Sequence, residues 1–171
     1  GYYGLPEVAE YWEQVVRMND YQARRFVGNM LAAMFNTVAD KKIAILGFAF
    51  KANTGDTRES PAIAVCCQLL EEHARLRIHD PKALGNARLD LEDAGGDISY
   101  CEDPYDAVKG AHAIALLTEW DSFRKLDYRR IYDLMEKPAF LFDGRNLLDH
   151  RKLYEIGFNV YPIGQKALTH F

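Results

Sequence analysis

The chain has 171 residues, with 21 Lys+Arg against 25 Asp+Glu for a net charge of −4, and 49% of it is hydrophobic. That is one ordinary domain plus an extension, and it excludes a disordered or fibrous chain. No apolar run nears the ~20 residues of a membrane-spanning helix and no signal-peptide pattern opens the chain, while mild acidity speaks against a nucleic-acid partner, whose phosphates need a basic surface.

Residues 5–38 read as one long helix. Pro6 suits a first helical turn, Val8, Trp12, Val15 and Val16 recur at helical spacing, and Phe26, Met30, Met34 and Val38 resume it. A helix of about 30 residues is about 45 Å long, more than a domain of this size covers by itself. The spacing therefore predicts a partner surface, with residues 1–40 serving as a central interdomain or dimerisation helix and residues 41–171 as the domain proper. Two shorter helices broken near Asn19 are the alternative.

From residue 42 the rhythm changes. Ile43-Ala44-Ile45-Leu46-Gly47-Phe48 is apolar without alternation, the pattern of a strand covered on both faces. Further strands are predicted at 76–79, 98–101, 113–117, 140–142 and 159–161, with helices at 62–73, 105–108, 127–135 and 151–156 between them. This alternation predicts an α/β fold, a Rossmann-like, doubly wound, mostly parallel sheet preceded by the long N-terminal helix. Ser60-Pro61 and Asp103-Pro104 are helix starts, and Gly110 and Gly157 are helix stops. The polar, glycine-containing stretch 86–97 reads as a surface insertion.

Ligands of such sheets bind beyond the carboxyl ends of the strands. Three connections there carry chemistry. The first, Phe48–Ser60, is longer than an ordinary strand-to-helix turn and holds Phe50, Lys51 and Arg58. Both cations suit a phosphate and Phe50 suits a base or ribose; alternatively, Arg58 pairs with Asp56 or Glu59 and Lys51 is simply solvated. In the second, Thr118-Glu119-Trp120-Asp121, Trp120 is expected to cap the sheet end and Asp121 the following helix. In the third, Asp143-Gly144-Arg145-Asn146, Gly144 permits a tight turn that aims Arg145 over the strand ends, as an anion ligand or in a salt bridge.

Several chemistries find no support. Gly47-Phe48-Ala49-Phe50 is not a GxGxxG turn, and Asp80-Pro81 after the second strand reads as a turn rather than a ribose-reading acid. The five histidines show no metal spacing, so no metal site is expected. Cys66, Cys67 and Cys101 read as buried small hydrophobes in a reducing compartment, which places the chain in the cytoplasm. No catalytic residue is assigned.

At these same loops the sequence resembles the nucleotide-sugar dehydrogenase family, in its UDP-glucose-oxidising branch. The matching stretches are KIAILGFAFK (42–51), TGDTRES (54–60), LTEWD (117–121) and FDGRN (142–146), together with PEVAEYW (6–12) and MNDYQARRF (18–26). The resemblance runs in order over nearly the whole chain. It implies that Phe50, Lys51 and Arg145 contact the UDP-sugar and that Arg58 reaches toward the pyrophosphate of NAD held by an N-terminal domain. It further implies the conversion of UDP-glucose, two NAD and water to UDP-glucuronate and two NADH through a cysteine thioester, by an enzyme that is a homo-oligomer through the N-terminal helix. Neither the family's cysteine motif nor its glycine fingerprint lies in this sequence, so no turnover is expected from these residues alone. Ala52-Asn53 depart from the Lys-Asp that often follows the loop lysine in the family. A sister enzyme acting on UDP-N-acetylmannosamine or GDP-mannose, a non-catalytic dimerisation module, and an unrelated flavodoxin-like domain remain as alternatives.

Overall fold

Apolar residues on both faces of a strand require cover on both faces, and the computed structural model, which describes residues 6–171, meets that requirement. Strands β1 (Lys42–Leu46), β2 (Arg75–His79), β3 (Ile98–Tyr100), β4 (Ala113–Leu116), β5 (Phe140–Asp143) and β6 (Asn159–Pro162) form a single sheet in the order β3-β2-β1-β4-β5-β6. Every pairing is parallel. Ile43, Ile45, Leu46, Leu76, Ile78, Ile114, Leu116 and Leu141 are fully buried in it. The chain order reverses between β1 and β4, so the connections leaving these two strands flank the crevice where such sheets take their ligands.

Helix α1 (Pro6–Ala33) runs unbroken through Asn19. In its C-terminal half Ala23, Val27 and Met30, followed by Met34, present one buried edge to the same core that β1 enters. Farther toward its N-terminus Tyr11, Met18 and Tyr21 are all more than 60% exposed. The side chains of Val8, Trp12, Val15 and Val16 lie outside the described residues. Phe35 and Asn36 then take left-handed backbone conformations, φ 63° and 67°, which end the helical run short of residue 38.

The start signals act as read. Ser60 caps α2 (Pro61–Glu71) by accepting the Ala62 N–H, and Asp103 caps α4 (Pro104–Val108) by accepting that of Tyr105. Asp127 and Asp149 do the same for α5 (Tyr128–Leu134) and α6 (His150–Ile156), which stops at Gly157 with φ 135°.

Three expectations need correction. The stretch 86–97 is not a surface insertion throughout, because it contains most of helix α3 (Leu84–Asp90). Ala87 and Leu91 are buried in the core; polar neighbours hid their helical period, and the rest of the stretch, including 92–97, stays at the surface. Asp121 caps nothing. It opens a 3-10 helix (Asp121–Lys125) and pairs with Arg124 and Lys125 instead. Of the three cysteines only Cys66 is buried, and Cys67 and Cys101 are half-buried.

Candidate functional site

The backbone just after β1 is held by side chains from three other parts of the chain. Asp80, buried at the end of β2, accepts the N–H of Phe48 at 2.7 Å and of Ala49 at 2.9 Å on Oδ2. The same oxygen accepts the Trp120 indole N–H at 3.2 Å, and Oδ1 accepts the N–H groups of Lys82 and Ala83. Ser60 donates its hydroxyl to the Phe48 carbonyl, and Thr118 donates to the Ala49 carbonyl. Gly47 makes this crossing possible. It sits at φ 95°, and a Cβ there would lie 2.5 Å from that of Thr118, so only glycine lets the β1 and β4 connections approach so closely. All four backbone polar groups of Phe48 and Ala49 are thus satisfied by side chains, three of them from outside the loop and one by Ser60 at its end.

Phe50 and Lys51 leave this platform exposed, Phe50 to the extent of 43%. Beyond them the loop turns back on itself, with the Phe50 N–H donating to the Asp56 carbonyl. Arg58 grips the Asp56 carboxylate with Nε and Nη2, and its own N–H donates to the same group. These bonds, helped by the charge of Lys51, bring the Asp56 carboxyl down to about 2. The pairing of Arg58 with Asp56 and the exposure of Lys51 are therefore what the structure shows. Helix α3 buttresses the far side. Asn86 donates to the Gly55 carbonyl, and the Thr57 hydroxyl donates to Asp90 at 2.6 Å.

Arg145 follows β5. Its backbone N–H donates to Oδ1 of Asp143, a fully buried carboxylate whose Oδ2 accepts the N–H of Leu148 and the ring N–H of His150 at 2.8 Å. Gly144 keeps the turn tight through close approach rather than unusual φ. A Cβ there would meet the Leu116 carbonyl at 2.9 Å and the Phe26 ring of α1 at 3.2 Å. The Arg145 guanidinium leans back over the end of β4, toward the β1 side, and lies 2.5 Å from Glu119 Oε2. Among the described residues no hydrogen bond or ion pair joins Arg145 to Lys51 or Arg58. The structure brings the predicted cations together in two sets, each facing its own carboxylate.

A dinucleotide does not fit the β1 turn. The N–H groups of Phe48 and Ala49, which a pyrophosphate would need, are already taken by the Asp80 carboxylate. No thiol is activated either. Burial raises all three cysteines above their ordinary value, and the raised Cys66 also faces Cys67. Sequence reading missed Asp80, Thr118, Asp143 and His150 as organisers of the site. The one local signal, a carboxylate directly after a strand end at Asp80 and Asp143, is also the signal of an ordinary turn.

Comparison with known proteins places these loops inside a matched span. The sequence model of the UDP-glucose/GDP-mannose dehydrogenase family, UDP binding domain, matches residues 44–150, a span containing Phe50, Lys51, Arg58 and Arg145. UDP-glucose 6-dehydrogenase 5 of Oryza sativa subsp. japonica is 53% identical over 180 residues, covering 95% of this chain and 38% of its own length. UDP-glucose 6-dehydrogenase 1 of Glycine max shows the same identity and the same coverage, so the chain spans about 38% of the length of these curated relatives. Among solved structures, a UDP-glucose dehydrogenase from the archaeon Pyrobaculum islandicum superimposes with a TM-score of 0.64 at 30% identity, over 84% of this chain and 31% of that one. An NDP-N-acetyl-D-galactosaminuronic acid dehydrogenase from Methanosarcina mazei reaches a TM-score of 0.71 over 89% of this chain and 30% of its own, and at 20% identity it supports the fold alone. With its parallel sheet, its strand-end loops and the matched span all in agreement, the chain belongs to the UDP-glucose/GDP-mannose dehydrogenase family, as the UDP-binding domain of that family.

Proposed function

We propose that this chain binds the UDP portion of UDP-glucose for an NAD-dependent UDP-glucose 6-dehydrogenase. The observation that carries this reading is the placement of Lys51 on the connection leaving β1, beside the sheet's crevice, and of Arg145 on that leaving β5, from which its guanidinium reaches Glu119 after β4, all within the span that matches the family. A diphosphate carries about two negative charges, and cations at two strand ends form a clamp for it. Phe50 supplies an exposed ring beside Lys51 for the uridine or the sugar. Arg58 lies on the exposed part of the same loop, where it can turn from Asp56 to the pyrophosphate of NAD. NAD, held mainly outside this domain, accepts the electrons removed from the sugar alcohol. The chain's own residues bind and orient the nucleotide.

Calorimetry with UDP tests this reading. Arg145→Ala should lose about 1.5–3 kcal/mol, or about 10- to 150-fold in affinity, as one charge-assisted contact disappears. Unchanged affinity in Arg145→Ala removes the clamp, and GDP binding better than UDP transfers the reading to a sister enzyme.

The same proposal includes a homo-oligomer through α1 and a cytoplasmic setting. Three large side chains more than 60% exposed between residues 11 and 21 of one helix offer an association surface. Light scattering should give at least a dimer at micromolar concentration, whereas a monomer there counts against this face. No helix among the described residues is long and apolar enough to cross a membrane.

A further inference from the structure

We propose that Glu119 is a resident anion that competes with the ligand for Arg145 and so sets how tightly this site holds an oxyanion. The inference rests on the reading of Arg145 as a diphosphate ligand.

The two residues flanking Glu119 fix its position. Thr118 is tied through its hydroxyl to the Ala49 carbonyl, and Trp120 is tied through its indole to Asp80. Glu119 itself is half-buried, the Arg145 side chain stays 36% exposed, and the two meet at 2.5 Å. The contact is close but poorly aligned. Glu119 Oε2 is buried and, among the described residues, takes no well-directed hydrogen bond from Arg145 or from any other group. The pair therefore gains from charge proximity and little from hydrogen bonding, and the guanidinium fork is not consumed by a two-pronged partner.

A phosphate offers Arg145 what Glu119 does not, two oxygens in the plane of the fork. Exchange from Glu119 to phosphate then goes forward, but it leaves the freed carboxylate beside a bound anion, on a backbone that cannot retreat. That repulsion is a standing cost to binding. By this logic Glu119→Gln, which keeps the shape and removes the charge, lowers the cost without disturbing the fold.

The test is calorimetry on wild type, Glu119→Gln, Arg145→Ala and the double variant, using UDP and inorganic pyrophosphate as separate probes. Glu119→Gln should bind pyrophosphate about 5- to 10-fold more tightly than wild type, and the double variant should match Arg145→Ala. Pyrophosphate affinity that is unchanged or weaker in Glu119→Gln overturns the proposal, as does a gain that persists without Arg145. Tighter pyrophosphate binding with no UDP binding in any variant supports the role of Glu119 and overturns the UDP reading instead.

Discussion

The connections after β1 and β5 both present cations at the rim of one sheet, yet they hold them differently. After β1 the peptide units of Phe48 and Ala49 are fixed by Asp80, Ser60 and Thr118, while Lys51 and Arg58 lie beyond the fixed part and are exposed. After β5 the fixing carboxylate, Asp143, bonds the backbone N–H of Arg145 itself, and the side chain, though exposed, rests against Glu119. A cation held on a fixed backbone loses little freedom when an anion arrives; one on a mobile stretch loses more. The β5 connection is thus the part suited to affinity, and the outer β1 loop is the part suited to adaptation.

Asp80→Ala attacks the fixed half of the β1 connection and should have the largest effect. It strands five N–H donors around a buried void, at about 3–5 kcal/mol of stability by urea unfolding. A loss below about 1 kcal/mol would mean that the loop holds itself. His150→Ala loosens the β5 connection by removing one hydrogen bond to the buried Asp143 carboxylate. It should cost about 1.5–3 kcal/mol in the same assay and weaken UDP binding less than Arg145→Ala does. Equal weakening would show that fixing the backbone matters as much as the charge it carries.

Arg58→Ala probes the adaptable stretch and should be nearly silent in both stability and UDP affinity, since an exposed ion pair is screened by solvent. The Asp56–Arg58 pair should instead be visible to pH. A carboxyl held down at about 2 stays ionised below its ordinary value near 3.8, so the little stability this screened pair contributes is present above that value and is lost as pH falls toward 2. NMR titration of the Asp56 carboxyl checks this, and Arg58→Ala should return it toward its ordinary value.

Much of the fold was legible because its causes are local. Continuous apolar runs marked the strands, Ser60-Pro61 and Asp103-Pro104 marked two helix starts, and Phe26, Met30 and Met34 kept a helical spacing strong enough to read. Helix α3 escaped because its period rests on few apolar residues, with Asn86, Arg88 and Asp90 in between, and two of those polar residues turn out to hold the first loop from behind. Candidate cations were visible as residue types at strand ends. Their partners were not, because Arg145 lies 26 positions from Glu119 and nothing local ties the two.

By itself, then, the sequence determined an alternating α/β chain, two of its helix caps (Ser60 and Asp103), and the positions of Phe50, Lys51, Arg58 and Arg145 on strand-end connections. Only the tertiary structure decided that Asp80 fills the anion position of the β1 turn, across 32 residues from Phe48, and that Asp143 rather than a glycine geometry fixes the Arg145 turn. Apolar periodicity is written residue by residue in the chain. The choice of which buried carboxylate satisfies which distant N–H is made only when the sheet brings their connections side by side.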